Sequence, residues 1–178
     1  MGITWRGIPG AGFLIYNIRM VIFINGSINA GKSTVAELLS KKIGNAVVLE
    51  IDALRDMIPW VPLEESIPIN LENAASLIRN FKQAGLNVIV PYPLSRKNFD
   101  FLKEKLGKDF EDCRFFTLSP TLKTAATNRG KRELNDWEKE RVKYHYGVGI
   151  NKPDFGDIID NTHQTPEETT DLIFKSLS

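Results

Sequence analysis

A chain of 178 residues suits one domain of ordinary size, and 42% hydrophobic residues are enough for a packed core without disulfides or metals. A formal net charge of +1 excludes a general electrostatic attraction to nucleic acid or to anionic membranes. The single cysteine, Cys113, excludes an internal disulfide and is expected to be a buried, inert thiol, and no apolar run reaches the about 20 residues of a membrane span. We therefore expect a cytoplasmic protein with no nucleic-acid or membrane partner.

The first nineteen residues lack the regular pattern of the rest of the chain. They hold several glycines and a proline beside a short apolar patch at 13–18, without the basic start and cleavage site of a secretory signal. We predict an N-terminal extension over residues 1–19 and one domain over residues 20–178. Two interpretations of the extension remain open, a natural start at Met20 or an ordinary N-terminal arm.

Apolar runs alternate with helical patterns from Met20 onward. The runs are typical of strands buried on both faces, and they lie at 20–25, 47–51, 88–90, 115–118 and, more weakly, 158–159. Helical patterns fill the intervals at 35–43, 71–84, 99–106, 122–128 and 136–146, and a capping box formed by Thr165 and Glu168 starts the last helix. This alternation predicts an α/β sheet with right-handed crossovers.

The turn after the first apolar run carries a phosphate-binding sequence. Gly26, Gly31, Lys32 and Ser33 match the pattern G-x-x-x-x-G-K-[ST], between an apolar strand and an amphipathic helix. Glycines let backbone N–H groups turn toward phosphate oxygens, and the helix N-terminus adds partial positive charge. We therefore predict that the turn binds a nucleoside triphosphate with Mg²⁺, through Gly26, Ser27, Ile28, Asn29, Ala30, Gly31, Lys32, Ser33 and Thr34.

Each polar side chain of this loop has an expected task. Lys32 reaches the β and γ phosphates and is predicted to be catalytic, Ser33 offers its hydroxyl to Mg²⁺, and Thr34 binds an α-phosphate oxygen. Motor ATPases and switch GTPases place an aspartate after a later strand, but the third run here ends in Pro91-Tyr92-Pro93 without a carboxylate.

Two acidic residues, Glu50 and Asp52, stand at the end of the second apolar run. Side chains two residues apart on a strand point the same way, so both would face the crevice at the carboxyl edge of the sheet. A carboxylate there can orient a water on Mg²⁺ or accept a proton from an acceptor hydroxyl, so we predict a catalytic role for Asp52 and a metal role for Glu50. The alternative for Asp52 is a plain helix cap.

From Met20 onward the chain resembles the small-molecule kinases of the P-loop superfamily, the group of shikimate kinase, gluconate kinase, adenylylsulfate kinase and chloramphenicol phosphotransferase. The resemblance rests on the phosphate loop and on Glu50-x-Asp52, which is similar to the paired acids of shikimate kinase. It implies a three-layer P-loop NTPase sandwich, with a five-stranded parallel sheet of order 2-3-1-4-5, helices on both faces and a helical lid. The lid would begin at 128–132, so the resemblance implies that Arg129 stacks on adenine and that Arg132 is catalytic at the transferring phosphate.

The chain departs from shikimate kinase near the acceptor. Pro91-Tyr92-Pro93 replaces a glycine triplet, and residues 70–73 lack the arginine of that family, so we expect a different acceptor pocket. Its candidate residues are Tyr92, Asn70, Trp60 and Arg96. The charged run 129–143 otherwise has the composition of a solvated helix face. Three aromatics, Trp137, Tyr144 and Tyr146, are expected to pack that helix down, and His145 and His163 to be ordinary surface or helix-end residues.

These observations together predict an enzyme, a small-molecule kinase that moves the γ-phosphate of ATP to a hydroxyl of a metabolite or antibiotic. ATP and Mg²⁺ are the expected cofactors, and the small-molecule acceptor is the expected partner. Two alternatives remain open. One is a kinase of a phosphorylated acceptor such as a nucleotide, which extra arginines in the acceptor pocket would favour. The other is a non-catalytic module that senses ATP.

Overall fold

The structure, a computed structural model, describes residues 19–127 and 133–177. Five strands form one sheet in these ranges: β1 (Val21–Gly26), β2 (Ala46–Val48), β3 (Asn87–Pro91), β4 (Cys113–Leu118) and β5 (Asp157–Ile159). Their order is β2-β3-β1-β4-β5, and each neighbouring pair is parallel. The predicted sheet order of 2-3-1-4-5 is therefore confirmed.

Helices connect the strands. They are α1 (Lys32–Ile43), α2 (Ile51–Arg55), α3 (Leu63–Gln83), α4 (Arg96–Leu106), α5 (Leu122–Ala125), α6 (Asp136–Gly147) and α7 (Pro166–Ser176), and a 3-10 helix at Gly107–Asp112 follows α4. The predicted capping box is present at the start of α7, where Thr165 accepts from the backbone of Glu168 and the Glu168 side chain accepts from the backbone of Thr165. Among the described residues, no helix combines the length and apolar character that a bilayer crossing needs.

Two apolar cores cover the two faces of the sheet. Along β1, Val21 and Phe23 point into the core shared with α3 and α4, whereas Ile22 and Ile24 point into the core shared with α1 and α7. This arrangement explains why the run is continuously apolar, because each face of a central parallel strand packs against helices. Cys113 is buried in the first core, as predicted, and burial raises the pKa of its thiol to about 12.

Some predicted boundaries were wrong. The second strand ends at Val48 rather than at residue 51, and α2 follows with Glu50 in its N-cap position and Asp52 in its first turn. The two carboxylates therefore do not alternate along a strand, because the chain turns there to bury Ile51 beneath α3. Helix α3 begins at Leu63, eight residues before the predicted start, and contains Pro68. The helix predicted at 122–128 is only the single turn of α5.

Several predictions fall outside the described residues. They are the N-terminal stretch before Arg19 and the lid arginines Arg129 and Arg132. The division into an extension over 1–19 and a domain over 20–178 stays a prediction, as do the roles of both arginines.

Candidate active site

The phosphate loop joins β1 to α1 and has the backbone that its glycines allow. Gly26 has a φ of +142°, and a Cβ there would lie 2.6 Å from the carbonyl oxygen of Leu118 on β4. Gly31 has a φ of +98° and occupies the N-cap of α1, where no side chain caps the helix. The first N–H groups of α1 are thus left for a ligand, and an anion is the ligand that a helix N-terminus favours.

Two side chains of the loop itself hold it in shape and bond it to a remote segment. Asn29, at a φ of +63°, donates from Nδ2 to the carbonyl oxygens of Ala125 (3.0 Å) and Thr127 (2.8 Å). Lys32 curls back so that its Nζ donates to the carbonyl oxygen of Ser27 at 2.8 Å. The loop is therefore fixed to the segment that leads into residues 128–132, where the lid is predicted to begin.

A second support comes from beneath the loop. Ser27 is fully buried, and its Oγ lies 3.3 Å from Nδ1 of His145, which is 3% exposed on α6. Burial lowers the pKa of His145 to about 4, and the positive charges of Arg141 and Lys32 act in the same direction. His145 lies in the last turn of α6, as the helix-end alternative predicted, but it is buried and not at the surface. The mixed charges of 129–143 gave no sign of an inward face on this helix.

A cleft of about 450 Å³ opens beside the loop. One wall consists of residues 29–35, and the other consists of Asn161, Gln164 and Pro166, which connect β5 to α7. Asn161 donates from Nδ2 to the carbonyl oxygen of Ala30 at 2.9 Å, and its Oδ1 is buried without a partner in the described parts of the chain. Sequence reasoning missed these three residues, because only their position after the last strand distinguishes them.

Glu50 reaches the phosphate loop from the start of α2. Burial raises the pKa of its carboxyl, a hydrogen bond from Ser33 lowers it, and the charge of Asp52 raises it again. Ser33 and Asp52 thus both act on the carboxyl of Glu50, although Glu50 and Asp52 lie at the start of a helix rather than on a strand. The metal role of Glu50 and the catalytic role of Asp52 stay predictions. Crowded carboxylates beside a hydroxyl form an oxygen-rich corner to which a cation is attracted.

Tyr92 lies across this corner, directly after β3. It is 7% exposed, and burial raises the pKa of its phenol to about 12. The charge of Asp52 raises this pKa too, whereas the charges of Arg141 and Arg55 lower it. Arg55 and Arg141 were not predicted as site residues, because α2 is short and Arg141 stands in a run of mixed charge.

The other acceptor candidates are scattered. Trp60 is 77% exposed, and Arg96 pairs with Asp100 (3.0 Å) and Asp154 (2.8 Å) at the surface. Asn70 is 3% exposed, and its Oδ1 has no hydrogen-bond partner among the described residues. On α6, Trp137 and Tyr144 are mainly exposed rather than packed down, so that prediction was wrong for both.

Asn25 supports the carboxyl edge of the sheet at the start of the phosphate loop. Its Nδ2 donates to Oγ1 of Thr117 (3.0 Å) and to the carbonyl oxygen of Ile150 (3.1 Å), and its Oδ1 accepts from the backbone N–H of Leu94 (2.7 Å). One buried amide thereby ties β1 to β4 and to the segments that follow β3 and α6. Ligands bind at this carboxyl edge in open parallel sheets.

Comparisons with known proteins agree with this architecture. A family model described as Zeta toxin matches residues 18–82, which hold the phosphate loop, Glu50 and Asp52. A sugar kinase from Janibacter sp. HTCC2649 superimposes with a TM-score of 0.69 at 20% identity, over 89% of this chain and 94% of that one. No curated protein sequence is a significant match.

Two further solved structures are similar. A gluconokinase from Sinorhizobium meliloti 1021 gives a TM-score of 0.63 at 17% identity, over 89% of this chain and 98% of that one. The tunicamycin resistance protein of Deinococcus radiodurans gives 0.61 at 21% identity, over 89% of this chain and 95% of that one. The chain therefore has the P-loop kinase fold.

Proposed function

We propose that this protein is an ATP-dependent kinase that transfers the γ-phosphoryl group to a hydroxyl of a small molecule. The observation that carries the proposal is the phosphate loop itself, whose uncapped helix N-terminus opens into a cleft lined by Lys32 and Ser33. Glu50 and Asp52 follow β2 at the carboxyl edge of the same sheet, at the start of α2, and both Ser33 and Asp52 act on the carboxyl of Glu50. Phosphoryl transfer depends mainly on positioning and on charge neutralisation, and this edge supplies groups for both.

The cleft beside the loop suits a nucleotide. The uncapped N–H groups of α1 and the ammonium of Lys32 are donors for phosphate oxygens, and they line the same cleft as Asn161 and Pro166. We infer that the base lies between the loop and the connection from β5 to α7. There the unpartnered Oδ1 of Asn161 offers an acceptor for an N–H group of the base.

The residues at the corner fit Mg²⁺ as well as ATP. Mg²⁺ takes oxygen ligands, usually one or two from the protein and the rest from phosphates and water. The Ser33 hydroxyl and the Glu50 carboxylate are such oxygens, and Ser33 acts on the carboxyl of Glu50, whose pKa burial raises. When bound, the ion would neutralise charge on the β and γ phosphates.

Asp52 is the proposed partner of the acceptor hydroxyl. In the transfer, the bond between the γ-phosphorus and the bridging oxygen of ATP breaks, and a bond to the acceptor oxygen forms. The hydroxyl proton goes to Asp52, and the products are ADP and the phosphorylated acceptor. Lys32 stabilises the phosphate charge during the step. We further propose that Arg132 contacts the transferring phosphoryl group and that Arg129 stacks on adenine. Both arginines lie outside the described residues.

The test measures acceptor-dependent release of ADP over a screen of hydroxylated metabolites and antibiotics. Lys32→Ala is expected to abolish turnover with at most a small loss of thermal stability, because its ammonium lines the phosphate cleft rather than a core, although its bond to the carbonyl oxygen of Ser27 is lost. Lys41→Ala, an exposed lysine on the same helix, is the matched control and should turn over like the wild type. Turnover in Lys32→Ala at the wild-type rate would refute the assignment.

The same experiment distinguishes a kinase from a module that only senses nucleotide. Such a protein would bind ATP and lose that binding in Lys32→Ala, yet no acceptor would raise ADP release above the background. Calorimetric titration with a non-hydrolysable ATP analogue, run beside the screen, separates the two functions.

A further inference from the structure

Asn29 of the phosphate loop bonds to two carbonyl groups that lie 96 and 98 residues further along the chain. Its Nδ2 donates to the carbonyl oxygens of Ala125 (3.0 Å) and Thr127 (2.8 Å), at the end of α5. Helix α5 has only 4 residues. A helix of this length is not stable by itself, because nucleation costs more than a single turn regains. The position of α5 therefore depends on its contacts with the rest of the protein.

The other anchors of α5 lie outside the phosphate loop. The backbone N–H of Thr121, its N-cap residue, donates to Oγ1 of Thr162 at 2.9 Å, in the connection from β5 to α7. The side chain of Ala125 is buried, and the hydroxyl of Tyr146 on α6 donates to the carbonyl oxygen of Pro120. Of these anchors, only the amide of Asn29 joins α5 directly to the residues that meet the phosphates.

The backbone at Asn29 limits which residues could replace it. Its φ of +63° lies in the left-handed region, which glycine, asparagine and aspartate enter more readily than other residues do. Of these three, only asparagine has a side-chain donor for the carbonyl groups of α5. Asn29 also lines the phosphate cleft, together with Gly31 and Lys32. One residue thus shapes the anion-binding turn and holds α5.

The turn around Asn29 is the part of the loop that a phosphate chain would restrain. It is closed by the backbone N–H of Ala30, which donates to the carbonyl oxygen of Ser27 at 3.2 Å. Nζ of Lys32 donates to the same oxygen at 2.8 Å, and a phosphate oxygen in the cleft would compete for this ammonium. A ligand that restrains the turn also restrains the amide of Asn29, and through it the end of α5.

We propose that Asn29 is a positioning residue that couples the phosphate loop to α5, so that a triphosphate bound in the loop makes α5 more stable. The inference rests on the nucleotide binding of the proposed function and adds to it a residue that acts through the loop. The triphosphate is sufficient for the effect, and the base is not required. Because coupling between two sites is reciprocal, the anchored α5 also strengthens triphosphate binding.

Hydrogen exchange in α5 measures this coupling. The backbone N–H groups of Ala125, Ala126 and Thr127 donate to carbonyl oxygens of residues 121, 122 and 124, so they exchange when α5 opens. Exchange is followed by NMR on the full chain without ligand, with Mg²⁺ and the ATP analogue AMPPNP, and with Mg²⁺ and inorganic tripolyphosphate, each at saturation. Tripolyphosphate fills the loop without a base. It therefore separates coupling through Asn29 from coupling through the base and the connection from β5 to α7.

Two variants of Asn29 remove the donor in different ways. Asn29→Gly keeps the left-handed backbone and lacks the amide, and Asn29→Asp keeps the size but places an acceptor where the donor was. Asn45→Gly is the matched control, because Asn45 also has a positive φ, of +45°, and its Nδ2 donates to the carbonyl oxygen of Gly85 at 3.0 Å, at the amino end of β2. Thr162→Val is a second control, which removes an anchor of α5 outside the loop.

We expect both ligands to slow exchange at residues 125–127 by at least about tenfold in the wild type and in Asn45→Gly, the effect of two hydrogen bonds of ordinary strength. In Asn29→Gly and Asn29→Asp the slowing should fall below about twofold, and the affinity for both ligands should drop by about tenfold. Thr162→Val should speed exchange with and without ligand and keep the slowing.

A merely structural role of Asn29 would give a different result. Exchange in its variants would then be faster by the same factor with and without ligand, and the slowing by ligand would persist. That result, or slowing of the wild type by AMPPNP but not by tripolyphosphate, overturns the coupling through Asn29 while the kinase proposal stands. Failure of the wild type to bind AMPPNP would instead contradict the proposed function, and this inference with it.

Discussion

His145 predicts a measurable pH dependence of stability. Its pKa falls from 6.5 to about 4 on folding, because the imidazole is buried against Ser27 and faces the positive charges of Arg141 on its own helix and Lys32 on α1. Between these pH values the unfolded chain binds the proton and the folded protein does not. The free energy of unfolding therefore contains a contribution that is full above pH 6.5 and is lost as the pH falls toward 4.

The magnitude follows from the size of the pKa shift. One pH unit of unequal protonation corresponds to about 1.4 kcal/mol, so lowering the pH from 7 to 5 removes at most about 2 kcal/mol of stability through this residue. His145→Gln keeps an amide that can bond to Ser27 but cannot titrate. We expect the difference in unfolding free energy between pH 7 and pH 5 to shrink by about 1–2 kcal/mol in the variant.

Urea unfolding at several pH values between 4.5 and 7.5 measures this difference. Glu50, whose pKa is raised, changes stability in the opposite sense, but it does so in both proteins and cancels in the comparison. His163→Gln, at an exposed position, is the matched control for the replacement of a histidine by glutamine. An identical pH dependence in His145→Gln and the wild type would refute the buried, neutral imidazole.

Two further predictions concern packing and the lid. Gly156→Ala should lower the free energy of unfolding, measured with urea, by about 1–3 kcal/mol. The reason is that a Cβ at this position, where φ is +66°, would lie 2.4 Å from the carbonyl oxygen of Phe115. Gly147→Ala is the control and should be nearly neutral, because a Cβ there would meet no atom within 4 Å. Arg132→Ala should lower kcat far more than it weakens ATP binding, whereas Arg129→Ala should weaken ATP binding first. Equal small effects from both arginines would indicate an ordinary charged segment.

The fold was predictable because its signals are local. The continuous apolar run of β1 reflects burial on both faces of the sheet, and the phosphate loop carries its own glycine requirement at Gly26 and Gly31. The strand order came from the resemblance to P-loop kinases rather than from the pattern itself. Predicted boundaries were wrong where burial competed with periodicity, as at Ile51, which belongs to a helix although it continues an apolar run.

Much of the candidate site was not predictable, because it depends on contacts between distant residues. Asn25 bonds to segments 69 to 125 residues away, and Asn161 bonds to Ala30 across 131 residues. No sequence pattern predicts that a single asparagine will form such long-range hydrogen bonds. On α6 only Val142 and His145 are buried, so the inward face is too narrow to stand out from the surrounding charges, and Arg141 and His145 were assigned to a solvated face.

Asp52→Asn distinguishes the three roles that remain for this carboxylate. Asp52 lies in the first turn of α2, a helix without a side-chain cap. Its structural role is therefore a favourable interaction with the helix dipole, which contributes about 0.3–1 kcal/mol. The amide of asparagine largely loses this interaction. If Asp52 accepts the proton of the acceptor, the amide should leave ATP affinity unchanged and lower kcat by about 10²-fold or more. If it serves Mg²⁺ instead, excess Mg²⁺ should restore part of the rate.

Asp56→Asn is the control for the charge change, because Asp56 lies at the end of the same helix. The assays are kcat at several Mg²⁺ concentrations and calorimetric titration with ATP. Full activity in Asp52→Asn would contradict both functional roles and leave Glu50 as the carboxylate to test next.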